Sequence, residues 1–222
     1  MDGVLYDSMP SHVQAWYEIA ISLGIEASTD EFYLYEGRTG KATINLLFNR
    51  QFGRDATSEE IQRIYKQKTQ RFVELEYPES KPMPGALEVL QTVKELGLQR
   101  FIVTGSGQYD LFTKLDKHFP KIFDKERMVT GYDVKFGKPH PEPYLMALHK
   151  ANVRPEEAIV IENAPLGVES ARAAGIYTIA VNTGPLSDTI LQKAGADVVL
   201  PSMRVLAEQK NVYFCSSNIK SD

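Results

Sequence analysis

The chain has 222 residues, 43% hydrophobic and 24% charged, a composition ordinary for a globular protein with room for a substantial buried core. Its net charge of -4 and isoelectric point near 5.7 leave no basic face for nucleic acid or an anionic membrane, and no apolar run reaches membrane-spanning length. One cysteine, Cys215, cannot close an internal disulfide; with no charged-then-apolar leader, the expectation is a cytoplasmic protein, monomeric or weakly dimeric.

The chain opens on "MDGVLYDSMP", with Asp2 and Asp7 flanking a short apolar run. A different pattern occupies residues 11–80. There "HVQAWYEIAISLG" spaces Val13, Trp16, Ala20 and Leu23 along one helical face. Thr57 and Glu60 form a capping-box signature ahead of "IQRIYKQKTQRFVELEY". No strand-like run interrupts this stretch, which predicts an all-helical insertion. The proline-rich "YPESKPMPG" marks its end.

A regular alternation follows. "GALEVLQTVKELG" sets Leu87, Leu90, Val93 and Leu96 on one predicted helix face and stops at Gly97, before the short apolar run "RFIVTGSG". "EPYLMALHKANV" precedes "AIVIENA", "GVESARAAG" precedes "IYTIAVN", and "SDTILQKAG" precedes "DVVLPS". Helices alternating with short β-branched runs predict an α/β fold with a doubly wound parallel sheet covered on both faces. The sheet domain would take residues 1–10 and 81–222, with the helical domain at 11–80 between them. The polar tail after Pro201 is expected to be only partly ordered.

Ligands of open parallel sheets gather outside the carboxyl ends of the strands. After "FIV" come Thr104, Gly105 and Ser106, a hydroxyl and amide cluster suited to a phosphate. After "AIVI" come Glu162 and Asn163, two oxygen donors suited to a hard cation. Lys138 stands between them in "GKPHPEPY". Each has a plainer reading, as strand terminator, surface lysine or helix cap. Their joint placement at consecutive strand ends points to phosphoryl transfer, which needs positioning and charge neutralisation.

"DGVLYDS", "VTGSG", "GKPHPEPY" and "IENAPLGV", in that order, resemble the four motifs of the haloacid dehalogenase superfamily, and more narrowly its β-phosphoglucomutase-like branch. The resemblance implies a Rossmann-like core with an inserted helical cap at the position of residues 11–80. It implies Asp2 as general acid and base, with its carbonyl on a magnesium ion completed by Glu162 and Asn163. Thr104, with the amides of Gly105 and Ser106, would hold the phosphoryl group, and Lys138 would neutralise it. His12 matches a histidine beside the acid/base aspartate. The nucleophilic aspartate of the family motif would fall one position before Met1, and the strand carrying it would precede that residue.

The glycines of the loop "YEGRTGKATI", with Arg38, Thr39 and Lys41, resemble the substrate-specificity segment that closes over the site, with Arg38 and Lys41 as phosphate contacts. Glu36 is unusual there: if it points inward it can reach the cation and restore the charge that Asn163 lacks, favouring a small substrate such as inorganic pyrophosphate. The expected activity is a magnesium-dependent phosphohydrolase acting through an aspartyl-phosphate on a small phosphorylated substrate. Alternatives are a sugar-phosphate mutase on the same scaffold, or a non-catalytic protein if Met1 is the genuine start.

Overall fold

A computed structural model describes residues 1–76, 81–106 and 111–214. Cys215, residues 77–80 of the proline-rich return, and Gly107 of the "VTGSG" turn lie outside the described residues. The first four helices each begin or end where local chemistry dictates. Helix α1 (Met9–Ser22) carries Pro10 in its first turn, where no amide hydrogen is needed. Ser28 and Glu31 cap α2 (Thr29–Leu34) reciprocally. The Thr39 hydroxyl caps α3 (Gly40–Phe52), which ends on Gly53 at φ 66°. The predicted box opens α4 (Ser58–Leu75): Thr57 N–H donates to Glu60 at 2.7 Å, and Glu60 N–H returns to Thr57 Oγ1 at 3.2 Å.

These helices bury a cluster of their own that includes Val13, Ile25, Phe32, Ile44, Phe48 and Ile64, with Trp16 and Leu23 packed on its edge. The chain enters and leaves this segment through two adjacent, antiparallel stretches. Asp7 N–H donates to Lys81 O at 3.2 Å, Met83 N–H donates to Leu5 O at 2.8 Å, and Tyr6 bridges Pro82.

Helices and strands then alternate: α5 (Ala86–Glu95), β1 (Ile102–Val103), α6 (Leu111–His118), β2 (Met128–Val129), α7 (Glu142–Ala151), β3 (Ile159–Glu162), α8 (Pro165–Ala173), β4 (Tyr177–Val181), α9 (Asp188–Ala194) and β5 (Val198–Leu200). Every strand pair is parallel, with Ile102 opposite Met128, Val160 opposite Thr178 and Ala180 opposite Val199. Among the described residues the strands form two ladders, β1-β2 and β3-β4-β5. One apolar core joins them: Ile102 and Met128 from the first, Ile179, Val181 and Leu200 from the second, with Leu5 and Tyr6 packed alongside.

One expectation needs correcting, and two features of the fold were not anticipated. In α5, Leu87 and Leu96 are exposed at 39% and 43%, and the buried face is Ala86, Val89 and Leu90. Steps of three residues lag a 3.6-residue turn, so four leucine and valine positions taken that way fan halfway around the helix. The stretch after Pro201 forms α10 (Met203–Glu208) and α11 (Lys210–Phe214), and Met203, Leu206 and Ala207 are buried in the common core. Strand β2, only two residues long, had no run by which to predict it. No helix among the described residues is long and apolar enough to cross a membrane.

Candidate active site

A cleft between the carboxyl ends of β1 and β3 and the helical segment gathers Asp2, His12, Glu36, Arg38, Thr104, Gly105, Ser106, Lys138, Glu162 and Asn163. Thr104 follows β1 directly; its N–H donates to Val129 O at 2.9 Å, continuing the ladder past the strand end. Its Oγ1 accepts the Ser106 N–H at 3.1 Å, which fixes the hydroxyl with its proton left to donate outward.

Glu162 ends β3, 6% exposed. Lys138 Nζ forms an ion pair with its Oε1 and also donates to Val103 O at 3.2 Å. The lysine therefore spans the ends of the two ladders. Tyr144 O–H donates to the same Oε1 at 2.6 Å, and the Asn163 N–H donates to Oε2 at 3.1 Å. Burial, the largest influence, opposes the charge on Glu162, while Lys138 and then the Tyr144 hydroxyl favour it, and the carboxyl is held below its ordinary range. Burial beside Glu162 pushes the Tyr144 phenol well up, so it remains a donor. Two glycines make room for the pair. A Cβ on Gly167 would lie 2.2 Å from the Glu162 carboxylate carbon, and one on Gly3 would lie 1.9 Å from Asn163 Nδ2.

Asp2 accepts from Ser8 Oγ at 2.5 Å and faces His12 Nε2 at 3.4 Å. Burial alone would raise its pKa; His12 and the Ser8 hydroxyl act against it, and the carboxyl is held far below the usual carboxylate range. Burial and the neighbouring Lys68 lower His12. Lys68 Nζ lies 2.6 Å from His12 Nδ1, so the neutral imidazole accepts there and turns its Nε2–H toward Asp2. Lys68 itself is 4% exposed, between the rings of Trp16 at 5.4 Å and Phe72 at 4.9 Å, and burial pushes it down to about 7. Sequence reading missed this lysine. The available signal was its place at the centre of the i, i+4, i+8 stripe Ile64, Lys68, Phe72, otherwise apolar.

Glu36 points inward and accepts from Asn163 Nδ2 at 3.1 Å. Burial, then the carboxylates of Glu162 and Asp2, push its pKa well above the ordinary value. Arg38 Nε is buried without a hydrogen-bond partner among the described residues. Lys41 does not join: it is exposed at the start of α3 and outside the cleft lining. Thr39 serves as the α3 cap.

The loop bearing Glu36 rests on glycines. A Cβ on Gly105 would lie 2.7 Å from Gly37 O and 2.8 Å from Arg38 O, and one on Gly137 would lie 2.7 Å from Thr39 Cγ2. Among the described residues no three His, Cys, Asp or Glu side chains form a ready metal cluster. The donors that converge are mixed oxygens: the Glu162 and Glu36 carboxylates and the Asn163 amide, with Asp2 lining the same cleft. Such a set fits a hard cation that keeps water or substrate oxygens in its shell, and the mutual repulsion of Glu36, Glu162 and Asp2 is what a cation would relieve.

Residues 1–181 match haloacid dehalogenase-like hydrolases. The chain belongs to this family. Within the haloacid dehalogenase-like hydrolases it falls in the β-phosphoglucomutase-like branch. A Bacteroides vulgatus structure provisionally named beta-phosphoglucomutase is 51% identical, with a TM-score of 0.91 over 95% of this chain and 85% of that one. The phosphorylated carbohydrates phosphatase of Thermotoga maritima is 32% identical over 214 residues, 96% of each chain. Hexitol phosphatase A of Escherichia coli is 30% identical over 220 residues, 95% of this chain and 92% of the relative.

Proposed function

We propose that the protein is a magnesium-dependent phosphohydrolase working through an aspartyl-phosphate, with the helical segment acting as a cap over the site. The observation that carries this reading is the convergence of Asp2, Thr104, Lys138, Glu162 and Asn163 on one cleft. The nucleophile in this reading is an aspartate immediately before Met1, on a strand lying between β1 and β3. Thr104 and the amides of Gly105 and Ser106 hold the phosphoryl group. Lys138 offsets its charge. Asp2, kept ionised by Ser8 and His12, takes the proton of the attacking water when the phosphoenzyme is hydrolysed. Glu162, Asn163 and the Asp2 carbonyl would hold magnesium, which when bound neutralises charge on the transferring group.

The names of the relatives favour phosphorylated sugars and polyols as substrates, whereas the inward Glu36 favours a smaller one. The cleft has room for about 90 Å³, against the roughly 300–1,000 Å³ typical of drug-sized ligand sites. Glu36 holds Asn163 by its amide nitrogen, which leaves the amide oxygen as the atom that would serve a cation. Inorganic pyrophosphate suits this arrangement, with Arg38 for the leaving phosphate. The test is phosphate release from pyrophosphate, hexose phosphates and polyol phosphates across a magnesium titration, in protein expressed with the residues encoded upstream of Met1. Glu36→Ala is expected to lower pyrophosphate turnover about 10–100-fold, the scale for groups supporting a metal, and hexose phosphate turnover much less. Equal losses on both would remove the pyrophosphate assignment. Magnesium-independent turnover would remove the metal requirement, and no turnover on any phosphate ester or anhydride would remove the phosphohydrolase reading itself.

A further inference from the structure

Tyr144 makes two contacts with the Lys138–Glu162 pair. It sits in the first turn of α7, 5% exposed, with its ring in a cluster formed by Leu148, Val160, Ala171 and Ile176. Its hydroxyl donates to Glu162 Oε1, and its ring face takes Lys138 Nζ at 5.0 Å from the centroid. Oε1 therefore carries two donors from the core side, Lys138 and Tyr144, while among the described residues Oε2 carries only the Asn163 amide. An ionised carboxylate accepts about four hydrogen bonds, so the lone-pair capacity left over is greater on Oε2. Gly167 removes the Cβ that would otherwise meet this carboxylate. Glu162 is thus fixed in rotation by its neighbours and not by a wall of side chain.

We propose that Tyr144 is a positioning residue for the metal-binding pair: its hydroxyl locks Oε1 of Glu162 and keeps Oε2 available to the cation. This rests on the magnesium reading given above. A carboxylate held by three donors is already oriented before the cation arrives. Losing one donor lets it rotate toward Lys138, and orientation must then be supplied at the moment of binding. Hydrogen-bond partners of metal ligands commonly account for 10–100-fold in metal affinity. Phenylalanine at this position keeps the ring, its packing and its face toward Lys138, and removes one oxygen.

The experiment titrates Mn2+, which favours the same octahedral oxygen sites and is read by electron paramagnetic resonance, into the same upstream-extended protein. Wild type, Tyr144→Phe and Leu148→Val are compared. Leu148→Val loosens the cluster around the Tyr144 ring without touching Glu162, and circular dichroism checks that each variant is folded. Mn2+ affinity is expected to fall 10–100-fold in Tyr144→Phe and to stay within about twofold in Leu148→Val. Equal affinity in Tyr144→Phe and wild type overturns the positioning role and leaves the metal site standing. An equal loss in Leu148→Val also overturns it, because packing alone would then explain the effect. If wild type takes up no Mn2+, this inference and the magnesium reading fall together.

Discussion

Asp2 owes its charge to Ser8 and His12, and His12 in turn rests on the buried Lys68, where the cost of the arrangement falls. Asp2→Asn keeps the size and most hydrogen bonds of the side chain but cannot take a proton. Turnover is expected to fall about 10²–10⁴-fold, the usual scale for losing general acid–base help, in an assay on the upstream-extended protein. Near-normal turnover would mean that another group moves the proton. Lys68 gives a prediction about stability with a definite sign. Its folded pKa of about 7 lies below its ordinary 10.5, so between those values the unfolded chain binds more protons and stability rises with pH. Below about 7 both states are protonated and the full burial penalty applies. Lys68→Met should therefore stabilise the fold most at neutral and acid pH, by about 1–4 kcal/mol, and progressively less toward pH 10. Denaturant unfolding of both proteins at several pH values reads this directly. An unchanged difference across that range would show that Lys68 is not the titrating group.

The loop between α2 and α3 is held in place by what the neighbouring loops lack. A methyl on Gly105 would press on the carbonyl oxygens of Gly37 and Arg38, which are backbone atoms and cannot swing aside. Gly105→Ala should lift the loop and reduce kcat/KM by about 10²-fold, the scale for a displacement near 1 Å, with circular dichroism unchanged. Adding Glu36→Ala to that variant should then cost little more, because both changes undo the same contact. Full additivity would count against the shared seat.

Local rules made much of this legible beforehand. The Thr57–Glu60 box and the Val13–Ala20 face needed only near neighbours; Thr104, Glu162 and Asn163 followed from their places after strands, and Lys138 from the turn between them. What escaped depended on distant parts of the chain. Lys68 takes its meaning from His12, 56 positions away, and Tyr144 from Glu162, 18 away. Lys41 was a plausible phosphate contact by composition, and the start of α3 turns it outward.

At the scale of the whole molecule, the two ladders depend on one core and on the last helices that close it. Leu206 is fully buried in α10 among residues from both ladders, so it reports on the integrity of the assembly. Leu206→Ala is expected to destabilise the protein by about 2–5 kcal/mol, measured by denaturant unfolding. A loss under about 1 kcal/mol would mean that α10 is dispensable to the core.

The adjacency of the entering and leaving chains at Tyr6 and Pro82 has a consequence for how such a protein can change over time. Because Asp7 and Lys81 are hydrogen-bonded neighbours, everything between them departs and returns through one doorway. Those intervening helices carry their own apolar cluster with them, while Thr104, Lys138, Glu162 and Asn163 stay behind. Recombination at that doorway is therefore expected to exchange the helices as a cassette: a donor segment would bring its own equivalents of His12, Glu36, Arg38 and Lys68 to a recipient that keeps its phosphate grip.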